Sequence, residues 1–213
     1  MRDNVAQLVR LMLVTDDGLV RGRDLVSLAQ AAERGGVTSV QLRLKQATAR
    51  ELAHVVRRLV QALRIPVIVN DRPDVAIAAG AAGAHLGPDD LPIDLARRIA
   101  PPGFVVGASV GSEAEAAKSG AADYWGIGPW RATPTKGDAG IGLGANGFSR
   151  LRRLAGLKPV LAIGGVTPED VPVILRAGGM GVAVVSGILG AEDVEAAARR
   201  YVEAGQRVSG SAG

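Results

Sequence analysis

The chain has no cysteine, which excludes disulfides and thiolate-held metals and fits a cytoplasmic setting. Aromatic residues supply only 3% of it, so the core must be aliphatic, and the stacking platforms that bind single-stranded nucleic acid are lacking. Histidine occurs twice, at His54 and His85, without metal-ligand spacing, and both are expected to be structural. Lysine is scarce as well. Of 25 basic residues four are lysines (Lys45, Lys118, Lys136 and Lys158), which leaves 21 arginines. Where arginine is the rule, a lysine marks a candidate place for a compact point charge. No run approaches the roughly 18 apolar residues of a spanning helix, and no cleavable signal pattern opens the chain. No G-x-G-x-x-G follows the first strand-like run, which argues against a dinucleotide-binding open sheet.

What remains is an aliphatic, glycine-rich chain of 213 residues with a net charge of +4. The basic residues are scattered at helical spacing, so the charge points to small anions, not to nucleic acid or a membrane. One domain over residues 1–208 is expected, with a frayed tail at 209–213. Short β-branched runs at 11–15, 39–43, 67–70, 84–86, 105–109, 124–127, 160–163 and 181–185 read as strands. Between and after them, helical periodicity covers 24–34, 50–63, 73–80, 93–99, 113–119, 147–154, 168–176 and 191–204. Over 50–63, Leu52, Val55, Val56, Leu59 and Leu63 share one face. Thr48, Ser112 and Thr167 sit at N-cap positions, with Glu51 completing a capping box after Thr48.

The repeat is about 25 residues per βα unit, and eight units fill the chain with no spare linker. Strands apolar throughout are those covered on both faces. The fold class expected is α/β, a single (β/α)8 TIM barrel, in which chemistry gathers on the loops after the strands.

Those strand ends are rich in polar residues. After the second come Gln41, Arg43 and Lys45, which alternation places on one side; a guanidinium fork and a mobile ammonium there suit a phosphate. The third ends in Asn70-Asp71 and the fourth continues to Asp89-Asp90. Carboxylates from adjacent strands can share a hard cation such as Mg²⁺; capping of the helices that follow is the structural alternative. Ser109 ends the fifth strand. The sixth leads into the polar loop GPWRATPTKGDAG, 128–140, whose Thr133, Thr135, Lys136 and Asp138 between fixed turns suit an anion. Gly164-Gly165 and Val185-Ser186 follow strands seven and eight, where such barrels cradle phosphate on backbone N–H groups. Two anion sites at one mouth suggest a transferase acting on two phosphorylated substrates.

In order and spacing, QLRLK (41–45), NDRPDVAIAAGAAGAHLGPDDLP (70–92), GASV (107–110), DYWGIGPWRATPTKGDAG (123–140), AIGGVTPED (162–170) and GVAVVSGI (181–188) resemble the thiamine-phosphate synthase family. The resemblance implies a cytoplasmic transferase of thiamine biosynthesis. Its two substrates would be hydroxymethylpyrimidine diphosphate and thiazole phosphate, joined with loss of pyrophosphate through a pyrimidine methylene cation. It further implies that Gln41, Leu42, Arg43, Leu44, Lys45, Asn70, Ser109 and Lys136 hold the pyrimidine diphosphate. Arg43, Lys45, Ser109 and Lys136 would be the catalytic members of that set. Asp71 and Asp90 would bind Mg²⁺, and Thr133, Pro134, Thr135, Gly165, Val185 and Ser186 would hold the thiazole phosphate. Trp130-Arg131 departs from the apolar pair usual in the family's loop, and Leu44 replaces a commonly polar residue. The rivals are a thiazole tautomerase-like barrel, which would place a histidine for proton transfer, and a non-catalytic phosphate-binding regulatory barrel. A homo-oligomer is left open.

Overall fold

Eight strands of four to six residues pair in parallel and in chain order, and the eighth closes on the first to complete the barrel. They are β1 Leu11–Val14, β2 Ser39–Leu42, β3 Val67–Asn70, β4 Gly83–Leu86, β5 Val105–Val110, β6 Tyr124–Ile127, β7 Val160–Ile163 and β8 Gly181–Val184. This computed structural model describes residues 2–132 and 142–209.

Helices wrap the sheet: α1 Arg2–Leu8, α2 Asp17–Val20, α3 Leu25–Arg34, α4 Ala49–Ala62, α5 Pro73–Ala79 and α6 Ile93–Ile99, then α7 Glu113–Lys118, α8 Gly144–Leu154, α9 Val171–Arg176, α10 Ser186–Leu189 and α11 Val194–Ser209. The expected elements are all present. Three short helices were not expected: α1, α2 and α10. With four residues each, α2 and α10 carry too few turns for a periodic signal of their own, and α1 has seven. Of the expected tail, Ser209 ends α11 and the rest lies outside the described residues. Among the described residues no helix is long and apolar enough to cross a membrane.

Helix α4 shows why these segments form where they do. Thr48 Oγ1 accepts from Glu51 N at 3.3 Å while Glu51 Oε2 accepts from Thr48 N at 2.8 Å. Leu52, Val56 and Leu59 from the apolar face are buried, and each such side chain contributes about 1.5–3 kcal/mol on leaving water. Ser112 caps α7 in the same way, accepting from Glu115 N.

The strands are covered on both faces, as continuous apolarity implied, but the two faces differ. Outward residues such as Leu13, Val40, Val69, Leu86, Ala108, Ile127, Ala162 and Val184 join one large apolar cluster under the helices. Inward residues form a smaller one: Met12, Val14, Ile68, Val105, Tyr124, Leu161 and Ala183, with Val5 and Leu8 of α1 packed against it. Parallel register puts Gln41 beside Val14 and Ile68, His85 beside Asn70 and Gly107, and Ser109 beside Gly126. The inside of the barrel is therefore apolar toward its N-terminal end and polar toward its mouth.

Candidate active site

The loops that follow β1 and β2 lean on each other. Thr15 Oγ1 donates to Arg43 O at 3.0 Å and accepts from Arg43 N at 2.8 Å, which holds the end of β2 against β1. Asp16 caps α2 and lies 3.4 Å from the Arg43 guanidinium, while Asp17 accepts from Lys45 N at 2.9 Å. Asp16 thus orients the Arg43 guanidinium, and Asp17 anchors the backbone at Lys45. Sequence reasoning passed over Asp16 and Asp17, although two carboxylates directly after a strand were signal enough.

Gln41, Arg43 and Lys45 were expected on one side of β2. Gln41 is buried inside the barrel with its amide on Met12, and Arg43 and Lys45 continue toward the mouth, where Lys45 Nζ stands 3.4 Å from Asp71 Oδ2. The side chains of Leu42 and Leu44 face the other way, into the cluster beneath the helices. Only their backbone can reach a ligand at the mouth. For Leu44 this also explains how an apolar residue sits harmlessly between two cations.

Asp71 follows β3 with φ of 63°, a left-handed conformation that aspartate tolerates better than most residues but that still stores strain. Its N–H donates to His85 O at 2.9 Å, which ties the turn to β4. Asp90 is its neighbour, held by Gly87 N donating to Oδ2 at 2.6 Å. Asp89, beside it in sequence, is exposed. Partial burial, then the hydrogen bond and the negative charge of Asp90, push the Asp71 carboxyl up to about 6, against the opposing pull of Lys45. Neither carboxylate caps a helix: α5 starts after Arg72 and α6 after Pro92, both without a side-chain cap. That disposes of the structural alternative.

Two adjacent oxygen donors whose mutual repulsion raises a pKa can hold a hard divalent cation, which would remove the repulsion. Among the described residues no group of three or more acidic, histidine or cysteine ligands exists. An ion here would draw the rest of its shell from water and substrate oxygens, as Mg²⁺ does.

Asn70 and Ser109 stand at the mouth on β3 and β5. His85 lies within the barrel, its Nδ1 3.0 Å from Tyr124 Oη and its Nε2 3.0 Å from Ser109 Oγ; His54 is exposed on α4.

The opposite side of the mouth is made of backbone. Gly164 and Gly165 after β7 have φ of 96° and 66°, conformations glycine adopts without penalty, and Gly165 is exposed. Val185 leads into α10 with Ser186 and Gly187 exposed.

Thr133, Pro134, Thr135, Lys136 and Asp138 lie outside the described residues, but the base of their loop is well defined. Leu143 N donates to Pro129 O and Gly144 N to Trp130 O, and a Cβ at Gly142 would come within 2.8 Å of Arg131 Cα. Trp130 is buried edge-on against Phe148. Arg131 donates to Gly165 O at 2.9 Å and pairs with Asp170 through both guanidinium nitrogens. Burial raises the Asp170 carboxyl, but hydrogen bonds from Arg131 and Thr167 outweigh it and hold the pKa below the usual range. The two residues that depart from the family's loop therefore pack, and Arg131 fastens the loop after β6 to the glycines after β7.

Among the described lysines, Lys45 is the one that stands at the barrel mouth. Lys158 donates to the carbonyls of Gly120 and Ala122, and Lys118 ends α7.

Comparison with known proteins agrees with this layout. Residues 11–188 match the family model described as thiamine monophosphate synthase. A thiamine-phosphate synthase of Methanoculleus marisnigri is 47% identical over 194 residues, covering 89% of this chain and 92% of that protein. One from Azorhizobium caulinodans is 48% identical over 194 residues, covering 89% and 91%. Among solved structures, a thiamine phosphate pyrophosphorylase of Pyrococcus furiosus superposes with a TM-score of 0.86 at 34% identity, covering 96% of this chain and 98% of that one. The chain belongs to the thiamine monophosphate synthase family, enzymes of the transferase class.

Proposed function

We propose that this protein joins hydroxymethylpyrimidine diphosphate to thiazole phosphate, giving thiamine phosphate and pyrophosphate, with Mg²⁺ held by Asp71 and Asp90. The observation that carries this is the Asp71–Asp90 pair, set beside Lys45 at the ends of adjacent strands.

In the reaction the methylene C–O bond of the diphosphate breaks, its electrons leave with pyrophosphate, and the thiazole ring nitrogen forms the new bond to the methylene carbon. Negative charge collects on the departing oxygens, so groups already oriented toward them stabilise the transition state most. Arg43 and Lys45 are such groups: Asp16 pairs with the Arg43 guanidinium and Asp71 with the Lys45 ammonium, while Asp17 anchors the Lys45 backbone. Mg²⁺ bound at the carboxylate pair would supply further neutralisation of diphosphate charge. Gln41, Asn70 and Ser109 line the mouth where the pyrimidine would sit, and Lys136 would add a second ammonium.

The thiazole phosphate would rest on the N–H groups around Gly165 and Val185-Ser186, and Thr133, Pro134 and Thr135 would bind it as well. Ionisation before attack needs no general base, in keeping with a mouth whose inward histidine is engaged with Tyr124 and Ser109. A cytoplasmic location fits a cysteine-free chain supplied with soluble substrates.

The test is to incubate the purified protein with both phosphorylated halves, with and without Mg²⁺, and to measure thiamine phosphate and pyrophosphate. Equal amounts of both, dependent on metal and on both substrates, are expected. Saturable binding without turnover would overturn the proposal in favour of a regulatory barrel.

A further inference from the structure

Below the mouth, three side chains on neighbouring strands form a chain that the chemistry above does not use: Tyr124 on β6, His85 on β4 and Ser109 on β5. The niche is built for them. Gly107 faces the Tyr124 ring so closely that any Cβ there would overlap it, and a Cβ at Gly126 would lie 3.2 Å from His85 Cε1. The two rings pack with centroids 5.4 Å apart. Two inward positions without side chains thus make room for two large polar rings in a barrel whose interior is otherwise mostly aliphatic.

The hydrogen positions follow from burial. Tyr124 has no exposed surface, and its burial pushes the phenol pKa up, so the hydroxyl stays protonated. Among the described residues that hydroxyl has one partner, His85 Nδ1, and no buried side-chain polar atom is left unmatched. A buried O–H without an acceptor is costly, so Tyr124 donates and Nδ1 accepts. The imidazole proton then sits on Nε2, which donates to Ser109 Oγ. Receiving a hydrogen bond from below, Ser109 keeps its own proton for the mouth. With the other tautomer, the tyrosine proton would be stranded and the serine proton would turn inward.

We propose that Tyr124 and His85 are positioning residues that fix the Ser109 hydroxyl as a hydrogen-bond donor toward the substrate at the mouth. This rests on Ser109 facing the pyrimidine diphosphate, as in the function proposed above. The donor would meet an acceptor on that substrate, a ring nitrogen or a diphosphate oxygen. Histidine here moves no proton; it transmits the orientation of a buried phenol to a serine two strands away from the glycines after β7.

The test combines a spectrum and a mutant cycle. ¹⁵N NMR of the imidazoles in the metal-free protein should show His85 as the Nε2–H tautomer, and Tyr124→Phe, which keeps the ring in its niche, should abolish that preference. Tyr124→Phe and His85→Leu should each lower kcat/KM by about tenfold, and His85→Gln, which can place an N–H near Nε2, should recover most of the loss. In a Ser109→Ala background, both substitutions should change kcat/KM by less than about twofold, since their effect passes through the serine. A merely structural role would instead give the same loss in both backgrounds, and that result, or an Nδ1–H imidazole, would overturn the inference. Absence of thiamine phosphate from the unsubstituted protein would refute the proposed reaction, whereas the tautomer is read without substrate and is judged separately.

Discussion

The two sides of the barrel mouth are built from different materials. Around β2, β3 and β4 the site consists of charged side chains, each held by a second side chain or a loop amide: Arg43 by Asp16, Lys45 by Asp71, Asp90 by Gly87. Around β7 and β8 the proposed phosphate cradle is backbone, at Gly165 and Ser186, with Arg131 and Asp170 fastening the loop beneath. A departing diphosphate develops charge during the reaction, so full charges already oriented toward it, with a metal ion beside them, suit it. A phosphate that keeps its charge throughout needs only steady donors. Substitutions should therefore cost turnover on the first side and affinity on the second.

The largest effect is expected at Asp71. Asp71→Asn preserves the left-handed turn, because asparagine also tolerates positive φ, yet it should lower kcat at least about a hundredfold by removing one of the two proposed metal ligands. The same change should stabilise the metal-free protein. Asp71 binds its proton more tightly folded, at about 6, than unfolded, near 3.8. Its ionisation therefore opposes folding above pH 6 and not below about 4. Thermal unfolding should show the variant more stable by about 1 kcal/mol at pH 7.5, after allowance for solvent screening, with the gain gone at pH 3.5. A destabilised variant would mean that the carboxylates do not repel as described.

On the other side, Gly165→Val should raise KM for thiazole phosphate by an order of magnitude or so with a smaller change in kcat, since a β-branched residue resists φ of 66°. If kcat fell with KM unchanged, the division of labour between the two sides would be wrong. Arg131→Ala should have a milder effect, raising that KM by about threefold to fivefold through a loosened clasp, because the buried Asp170 carboxylate keeps its hydrogen bonds from Thr167. Ser186→Ala should be nearly silent, within about twofold in steady-state kinetics, if its N–H and not its hydroxyl meets the phosphate.

Much of this was legible beforehand where chemistry and position coincide. Eight apolar runs alternating with amphipathic segments could satisfy their backbone and bury both faces in few ways, and the capping box at Thr48–Glu51 marked a boundary outright. Arg43, Lys45, Asp71 and Asp90 could be placed at the mouth beforehand because each sits at or shortly after a strand end, where barrel order fixes position. The side that depends on backbone was harder to read, since Gly165 and Ser186 carry no distinctive side chain. Trp130 and Arg131 were legible only as departures; their partners, Phe148 and Asp170, lie far along the chain.

The order of elements, the closed parallel sheet and the set of charges at its mouth follow from local composition and period, because each depends on residues near one another in the chain. Which way a side chain faces, and what it meets, does not. Leu42 and Leu44 turn into the outer core, α1 packs Val5 and Leu8 against the barrel's inner cluster, Arg131 reaches Asp170, and His85 joins Tyr124 to Ser109. Those relations came from closure of the sheet, which brings distant strands to within a few ångströms and leaves each buried polar group to find its partner there.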